Sequence, residues 1–214
     1  MTNFKQNSTF RLDLSIGNAV FLALREDSHE IVGVAPAPPG QYYDKLHAIA
    51  LRYKVPVVCD ATRLTSAHIP EGTDLIISAH SHWFVSDKAV EKARLGAIGY
   101  HPSLLPRHRG RDAVRWTIAC GDAVTGGSVY RLSPVVDGGC ILMQRIQFVD
   151  RSWNHQELWK HLFPQGVQML RETVNRLSHG FIEGEQQDER FATWEPPFEA
   201  TARLFRPELL QLPQ

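Results

Sequence analysis

Three short stretches hold residue types that do chemistry near neutral pH. The first runs GYHPSLLPRHRGR, residues 99–111, where His101 follows a short apolar run and precedes Pro102 and Pro106. Proline fixes φ and removes a donor, so this turn presents an imidazole stiffly, and one X-Pro bond in it can be cis at low cost. The second is VVDGG, residues 135–139. An acid followed by two glycines makes a turn that projects Asp137 and lets backbone approach closely. The third is SAHSHWF, residues 78–84, a loop that offers backbone amides beside Trp83 and Phe84. Near pH 7 a histidine stabilises an oxyanion or moves a proton, and an aspartate beside it fixes its charge or accepts a proton through water. That pair suits acyl-type transfer through a tetrahedral intermediate, with no covalent enzyme nucleophile.

Each stretch also has a plainer meaning. A His-Pro in a loop is most often structural, and Asp-Gly-Gly is most often only a turn. Alternate histidines in HSH face opposite ways on an extended chain, and no second ligand cluster has matching spacing, so no metal is expected. RHRGR, residues 107–111, reads first as a solvated basic loop and second as a contact for a substrate carboxylate or phosphate. No GxSxG elbow, Walker loop or GxGxxG fingerprint is present. Spacing alone stops at an α/β enzyme.

The elements that must position these residues follow from periodicity. FRLDLSI (10–16) alternates as a strand does, and NAVFLALRED after Gly17 has helical spacing with Asn18 as its N-cap. EIVGVA (30–35) and PVVC (56–59) read as further strands. Between them a Pro/Gly loop leads into a helix with Leu46, Ile49, Ala50 and Tyr53 on one face. DLIISA (74–79) and GAIGY (96–100) are continuous apolar runs, the pattern of strands buried on both faces. They flank a helix over 86–94 capped by Ser86. A helix over 111–122 closes at Gly121. Residues 125–134 and 139–149 form an antiparallel pair. A helix over 154–180 opens on Asn154 and Glu157 with capping-box spacing and stops at Gly180, and Pro164 should kink or split it. The fold class is therefore α/β: an open, mostly parallel, Rossmann-like sheet with helices on both faces and an antiparallel extension. Residues 1–9 read as a flexible tail, 10–181 as the catalytic domain and 182–214 as an extended tail laid over it. His101 then stands at a strand's carboxyl end, where ligands gather in such sheets.

Bulk composition narrows the function. Of 214 residues 43% are apolar, enough for one sizeable core, and 23 basic residues balance 23 acidic ones. That neutrality gives no sign of the electrostatic footprint of a nucleic-acid binder, and no nucleic-acid partner is expected. Cys59, Cys120 and Cys140 form no CxxC pair, so reduced thiols are expected. No apolar run nears the roughly 20 residues that span a bilayer, and the N-terminus shows no apolar signal core. The protein is expected to be soluble and cytoplasmic, with no membrane partner.

HPSLLPRHRG, then GD…TGGSV, then DGG…L.Q, in this order over about 50 residues, resembles the folate-dependent formyltransferase family, which includes methionyl-tRNA, glycinamide ribonucleotide and sugar N-formyltransferases. A weaker likeness runs from EIVGV to about Gly180. YHPSLLPRHRG with HLFPQG is most similar to the hydrolase domain of 10-formyltetrahydrofolate dehydrogenase. The resemblance implies the formyltransferase fold, 10-formyltetrahydrofolate as formyl donor and no metal. By motif it gives His101 as catalytic histidine and Asp137 as catalytic aspartate. It aligns His82, Trp83, Phe84 and Val85 with the segment touching the pterin, and Ser133, Val135, Val136 and Gly138 with the loop closing the other side. Gly17 falls where acceptor loops begin. The ribonucleotide enzyme's fuller glycine loop and the tRNA enzyme's C-terminal β-domain are missing, which favours a small-molecule amine and leaves room for a homodimer. One position departs: family transferases carry asparagine two residues before the histidine, and here that residue is Gly99. The implied activities are formyl transfer to an amine, hydrolysis of 10-formyltetrahydrofolate to formate and tetrahydrofolate, or folate binding without turnover.

Overall fold

The computed structural model describes residues 16–36, 45–58, 63–81, 84–180 and 182–198. In chain order the elements are α1 (Ile16–Glu26), α2 (Lys45–Tyr53), β1 (Arg63–Leu64), β2 (Ile76–Ala79), β3 (Phe84–Val85), α3 (Asp87–Lys92), β4 (Ala97–His101), α4 (Ala113–Ala119), β5 (Val124–Arg131), β6 (Ile141–Phe148) and α5 (His155–His179). The main sheet has the order β2-β4-β5-β6. β2 runs parallel to β4, and β4–β5 and β5–β6 are antiparallel. β1 pairs in parallel with β3. The result is an α/β fold, parallel in its first half and extended by an antiparallel hairpin.

Alternation along β4 decides which side chains meet which layer. Ile98 and Tyr100 join α1 and α5 in the largest apolar cluster, while Ala97 joins α3, β1 and β2 in a second one on the other face. Gly99 and His101 share the parity of Ala97 and so face away from α5. Tyr100 anchors the strand. A Cβ on Gly127 or Gly166 would lie 2.7 Å or 2.5 Å from its ring, so only glycine on either side admits it. Its hydroxyl donates to the Leu162 carbonyl of α5 at 3.0 Å. α5 opens on the expected capping box, with Asn154 accepting from the Glu157 N–H and Glu157 accepting from the Asn154 N–H. α3 is capped by Ser86, and α2 packs Leu46, Ile49 and Tyr53 around the buried Ala50.

Several local expectations change. The strand over 10–16 lies outside the described residues except for Ile16, which opens α1 and is 2% exposed. Gly17 and Asn18 are therefore inside the helix, and Asn18 is not its N-cap. Burial of Ile16 outweighs the cap preference of an asparagine two residues on. Residues 30–35 and 56–59 meet only as a parallel bridge, Val34 with Val57. Cys59 is outside the described residues. Pro164 does not split α5, which runs unbroken through it. Eight buried residues along that helix, including Leu162 and Met169, outweigh the hydrogen bond proline removes. Among the described residues no helix is long and apolar enough to cross a membrane.

Candidate active site

His101 ends β4 and is 6% exposed. The turn after it is tied down residue by residue. Ser103 Oγ donates to the Arg107 carbonyl. Ser128 Oγ on β5 donates to the Ser103 carbonyl at 2.7 Å and accepts from the Leu105 N–H at 3.0 Å. Gln144 of β6 donates to the Leu105 carbonyl at 2.9 Å. The Leu105–Pro106 bond is cis. The turn ends by directing the His108 carbonyl back at His101, whose Nε2–H donates to it at 2.6 Å. That contact fixes the neutral tautomer: Nε2 carries the proton, and Nδ1 keeps its lone pair.

Nδ1 faces Asp137 Oδ2 across 3.5 Å, longer than a direct hydrogen bond. Asp137 has a left-handed backbone, φ 52°, in the turn between β5 and β6. Its two oxygens each have one donor. The Gly110 N–H reaches Oδ2 at 2.7 Å, and the Tyr130 hydroxyl reaches Oδ1 at 2.5 Å. Two donors, one on each oxygen, hold the carboxylate in one orientation. Burial holds the His101 imidazole below its usual value, and the Asp137 charge opposes that shift. Tyr130 is pushed well above the usual phenol value by burial and by the Asp137 charge, so it remains a proton donor in hydrogen bonds.

Residues 182–198 close the far side of the turn. Gln187 Nε2 donates to the carbonyls of Asp137 and Gly139 at 2.7 and 2.8 Å. Its Oε1 accepts from Arg109 Nε and Nη2. Arg109 also grips Glu189 with two hydrogen bonds, at 2.8 and 2.7 Å. His108 sits between two carboxylates, with Nδ1 2.9 Å from Glu195 Oε1 and Nε2 2.8 Å from Asp122 Oδ2. Arg107 completes the group with a bidentate contact to Asp122. Burial works against the charge on Asp122, but hydrogen bonds from Arg107 and His108 hold its carboxyl below the usual range.

The solvated-loop expectation for RHRGR holds at Arg107 and Arg111, which are exposed, and fails between them. His108 and Arg109 are each 1% exposed. Their side chains are held by acids, Asp122 and Glu195 on His108 and Glu189 on Arg109, and are not offered to a ligand.

The remaining predicted residues fall around this centre. Gly99 lies on β4, two residues before His101 and on the same face. Phe84 and Val85 form β3, and Val85 shares an apolar cluster with Leu132, which leads into the 133–138 loop. Phe84, Val135 and Val136 are 45%, 54% and 52% exposed. The Arg63 guanidinium lies over the Phe84 ring, 4.7 Å from its centroid, and Val135 and Val136 directly precede Asp137. Ser133 turns inward to its own loop, its hydroxyl donating to the Val135 carbonyl, and Gly138 N–H donates to the same carbonyl. His82 and Trp83 lie outside the described residues, as does any metal role for His82. Among the described residues no group of three His, Cys, Asp or Glu is placed to hold a metal ion. Sequence reasoning missed Tyr130, the Gly110 N–H and the whole Arg109–Gln187–Glu189 clasp.

Comparison with known proteins gives this arrangement its context. A family model described as formyl transferase matches residues 58–174. The mitochondrial 10-formyltetrahydrofolate dehydrogenase of Homo sapiens is 32% identical over 190 residues, covering 84% of this chain and 21% of that protein. The chain thus spans about a fifth of such relatives. Among solved structures, an N-formyltransferase from Helicobacter canadensis, in complex with folinic acid and dTDP-3-aminofucose, superposes with a TM-score of 0.64 at 17% identity. It covers 84% of this chain and 66% of that one. Phosphoribosylglycinamide formyltransferase from Bacillus halodurans superposes with a TM-score of 0.62 at 17% identity, covering 76% and 89%. At such identities the structural likenesses establish the fold.

Proposed function

Since this chain belongs to the formyl transferase family, we propose that it moves a formyl group from 10-formyltetrahydrofolate to an amine of a small molecule. The observation that carries this reading is the facing pair His101 Nδ1 and Asp137 Oδ2, with His101 Nε2 already committed to the His108 carbonyl. Nδ1 is the nitrogen left to work. The acceptor amine attacks the formyl carbon, and negative charge grows on the formyl oxygen as the tetrahedral intermediate forms. The amine's proton goes to His101 Nδ1 or, through water, to Asp137. The imidazolium so formed is held by the carboxylate and offsets the oxyanion's charge. Collapse of the intermediate expels tetrahydrofolate, whose nitrogen takes the proton back. Phe84, Val85, Val135 and Val136 are the described residues assigned to the pterin slot, and Gly138 and Ser133 shape its loop.

A second reading is hydrolysis, with water as acceptor on the same two residues. The likeness to the 10-formyltetrahydrofolate dehydrogenase favours it. The folinic acid and amino-sugar nucleotide bound to the Helicobacter canadensis enzyme support a folate donor and an amine acceptor. Incubation with 10-formyltetrahydrofolate, followed by folate absorbance and formate release with and without a panel of amines, separates the two. Formate release without amine selects hydrolysis, and amine-dependent turnover selects transfer. Binding of a folate with no turnover in either case reduces the protein to a folate binder.

A further inference from the structure

Gly99 pairs directly with Tyr130 across β4 and β5. In an antiparallel sheet such partners share a face. A Cβ on Gly99 would stand 3.0 Å from Cε1 and Cζ of the Tyr130 ring and 2.9 Å from Leu132 Cδ2. The space a side chain at 99 would claim is therefore filled from the neighbouring strand. The ring that fills it is 6% exposed, and its one polar atom ends on Asp137 Oδ1.

The geometry points to Tyr130 as a positioning residue for the reaction, acting through Asp137, with Gly99 as the gap that lets its ring reach. The Asp137 carboxylate has one donor per oxygen: Gly110 N–H on Oδ2 and Tyr130 hydroxyl on Oδ1. Together they fix its rotation, and only in that rotation does Oδ2 face His101 Nδ1 at 3.5 Å. Only proline would remove the Gly110 N–H, and its fixed negative φ does not fit a residue at φ 90°, so Tyr130 is the half of this clamp that a side-chain substitution can reach. A tyrosine that merely filled the core would not need its hydroxyl on a carboxylate already bonded elsewhere. The assignment rests on the formyl-transfer or hydrolysis reading of the site.

The test compares Tyr130→Phe, Gly99→Ala and the double variant in full-length protein, measuring kcat and KM for 10-formyltetrahydrofolate with the acceptor the wild type uses. Tyr130→Phe keeps the ring and removes the donor. It should lower kcat by about tenfold to a hundredfold, the worth of a hydrogen bond to a charged group, with KM changed less than about threefold. Gly99→Ala pushes the ring off its partner and should lower kcat in the same direction while the hydroxyl is still present. If both act on one bond, the double variant is no worse than Tyr130→Phe alone. Thermal melting of each variant separates these effects from unfolding. Wild-type kcat in Tyr130→Phe, or fully additive losses in the double variant, overturns the assignment and leaves the formyl-group chemistry standing. A wild type that turns over nothing, with amines or water, overturns that chemistry first, and the role of Tyr130 with it.

Discussion

His101 and His108 lie seven residues apart and are almost equally buried. His108 has a carboxylate on each ring nitrogen, at 2.9 and 2.8 Å. Both nitrogens are occupied by fixed acids, and the ring has nothing left to give a substrate. His101 has one nitrogen committed to a carbonyl and the other facing a carboxylate across a gap too long for a bond. The gap is what an incoming proton can use. Burial and a charged neighbour are common to both; the unspent nitrogen is not. On the proposed reading, the histidine whose partners are all satisfied is a piece of structure, and the one left short by a single partner is the reagent.

The largest effect that would sharpen this contrast is loss of the reagent. His101→Ala should cost about 10²–10⁴ in turnover while leaving a folded protein. Steady-state formyl release and a melting curve read the two sides. Retention of more than a tenth of wild-type turnover would break the contrast. His108→Ala should do the opposite. It strands Glu195, leaves Asp122 with Arg107 alone, and should lower stability by about 2–4 kcal/mol in urea unfolding, with turnover per folded molecule falling far less than in His101→Ala. Arg109→Met is a milder version. It leaves Gln187 and Glu189 short of a donor and should cost about 1–3 kcal/mol by the same measurement.

The smallest effect is in pH. The folded value of His101 lies below its unfolded value of 6.5, so the unfolded chain binds the extra proton as pH falls. Stability is fully present above pH 6.5 and declines below it toward the folded value. His101→Gln should flatten that decline, read as urea midpoints on either side of pH 6.5. Asp122 adds a later loss with the same sign. Its carboxyl is held low in the fold, so its contribution is present above 3.8 and lost as pH falls through the folded value.

Local chemistry was legible in the sequence wherever its cause was local. The prolines around His101, the glycines after Asp137 and the caps at Ser86 and Asn154 act within a few residues of themselves. The antiparallel hairpin could be read because period-two alternation brackets a tight turn. Arg109 and His108 read as solvated because their partners are remote. Asp122 is 14 residues from His108, and Glu195 is 87. The stretch EGEQQDER that supplies Gln187 and Glu189 looks like a solvent-facing run. No property of a single segment says that two such runs neutralise each other. Tyr130 was hidden for a related reason: its meaning depends on the β4–β5 register, and a ring opposite a glycine is visible only once the two strands are aligned.

The clasp on His108 also has a consequence in time. A chain emerging from the ribosome exposes His108 long before Glu195 exists. At 5–20 residues per second the delay over those 87 residues is on the order of ten seconds. During that interval Asp122 is the ring's sole acid, and Arg109 has neither Gln187 nor Glu189. The turn that presents His101 is thus made well before the segment that completes it, and its charges are matched only when residues 187–195 arrive.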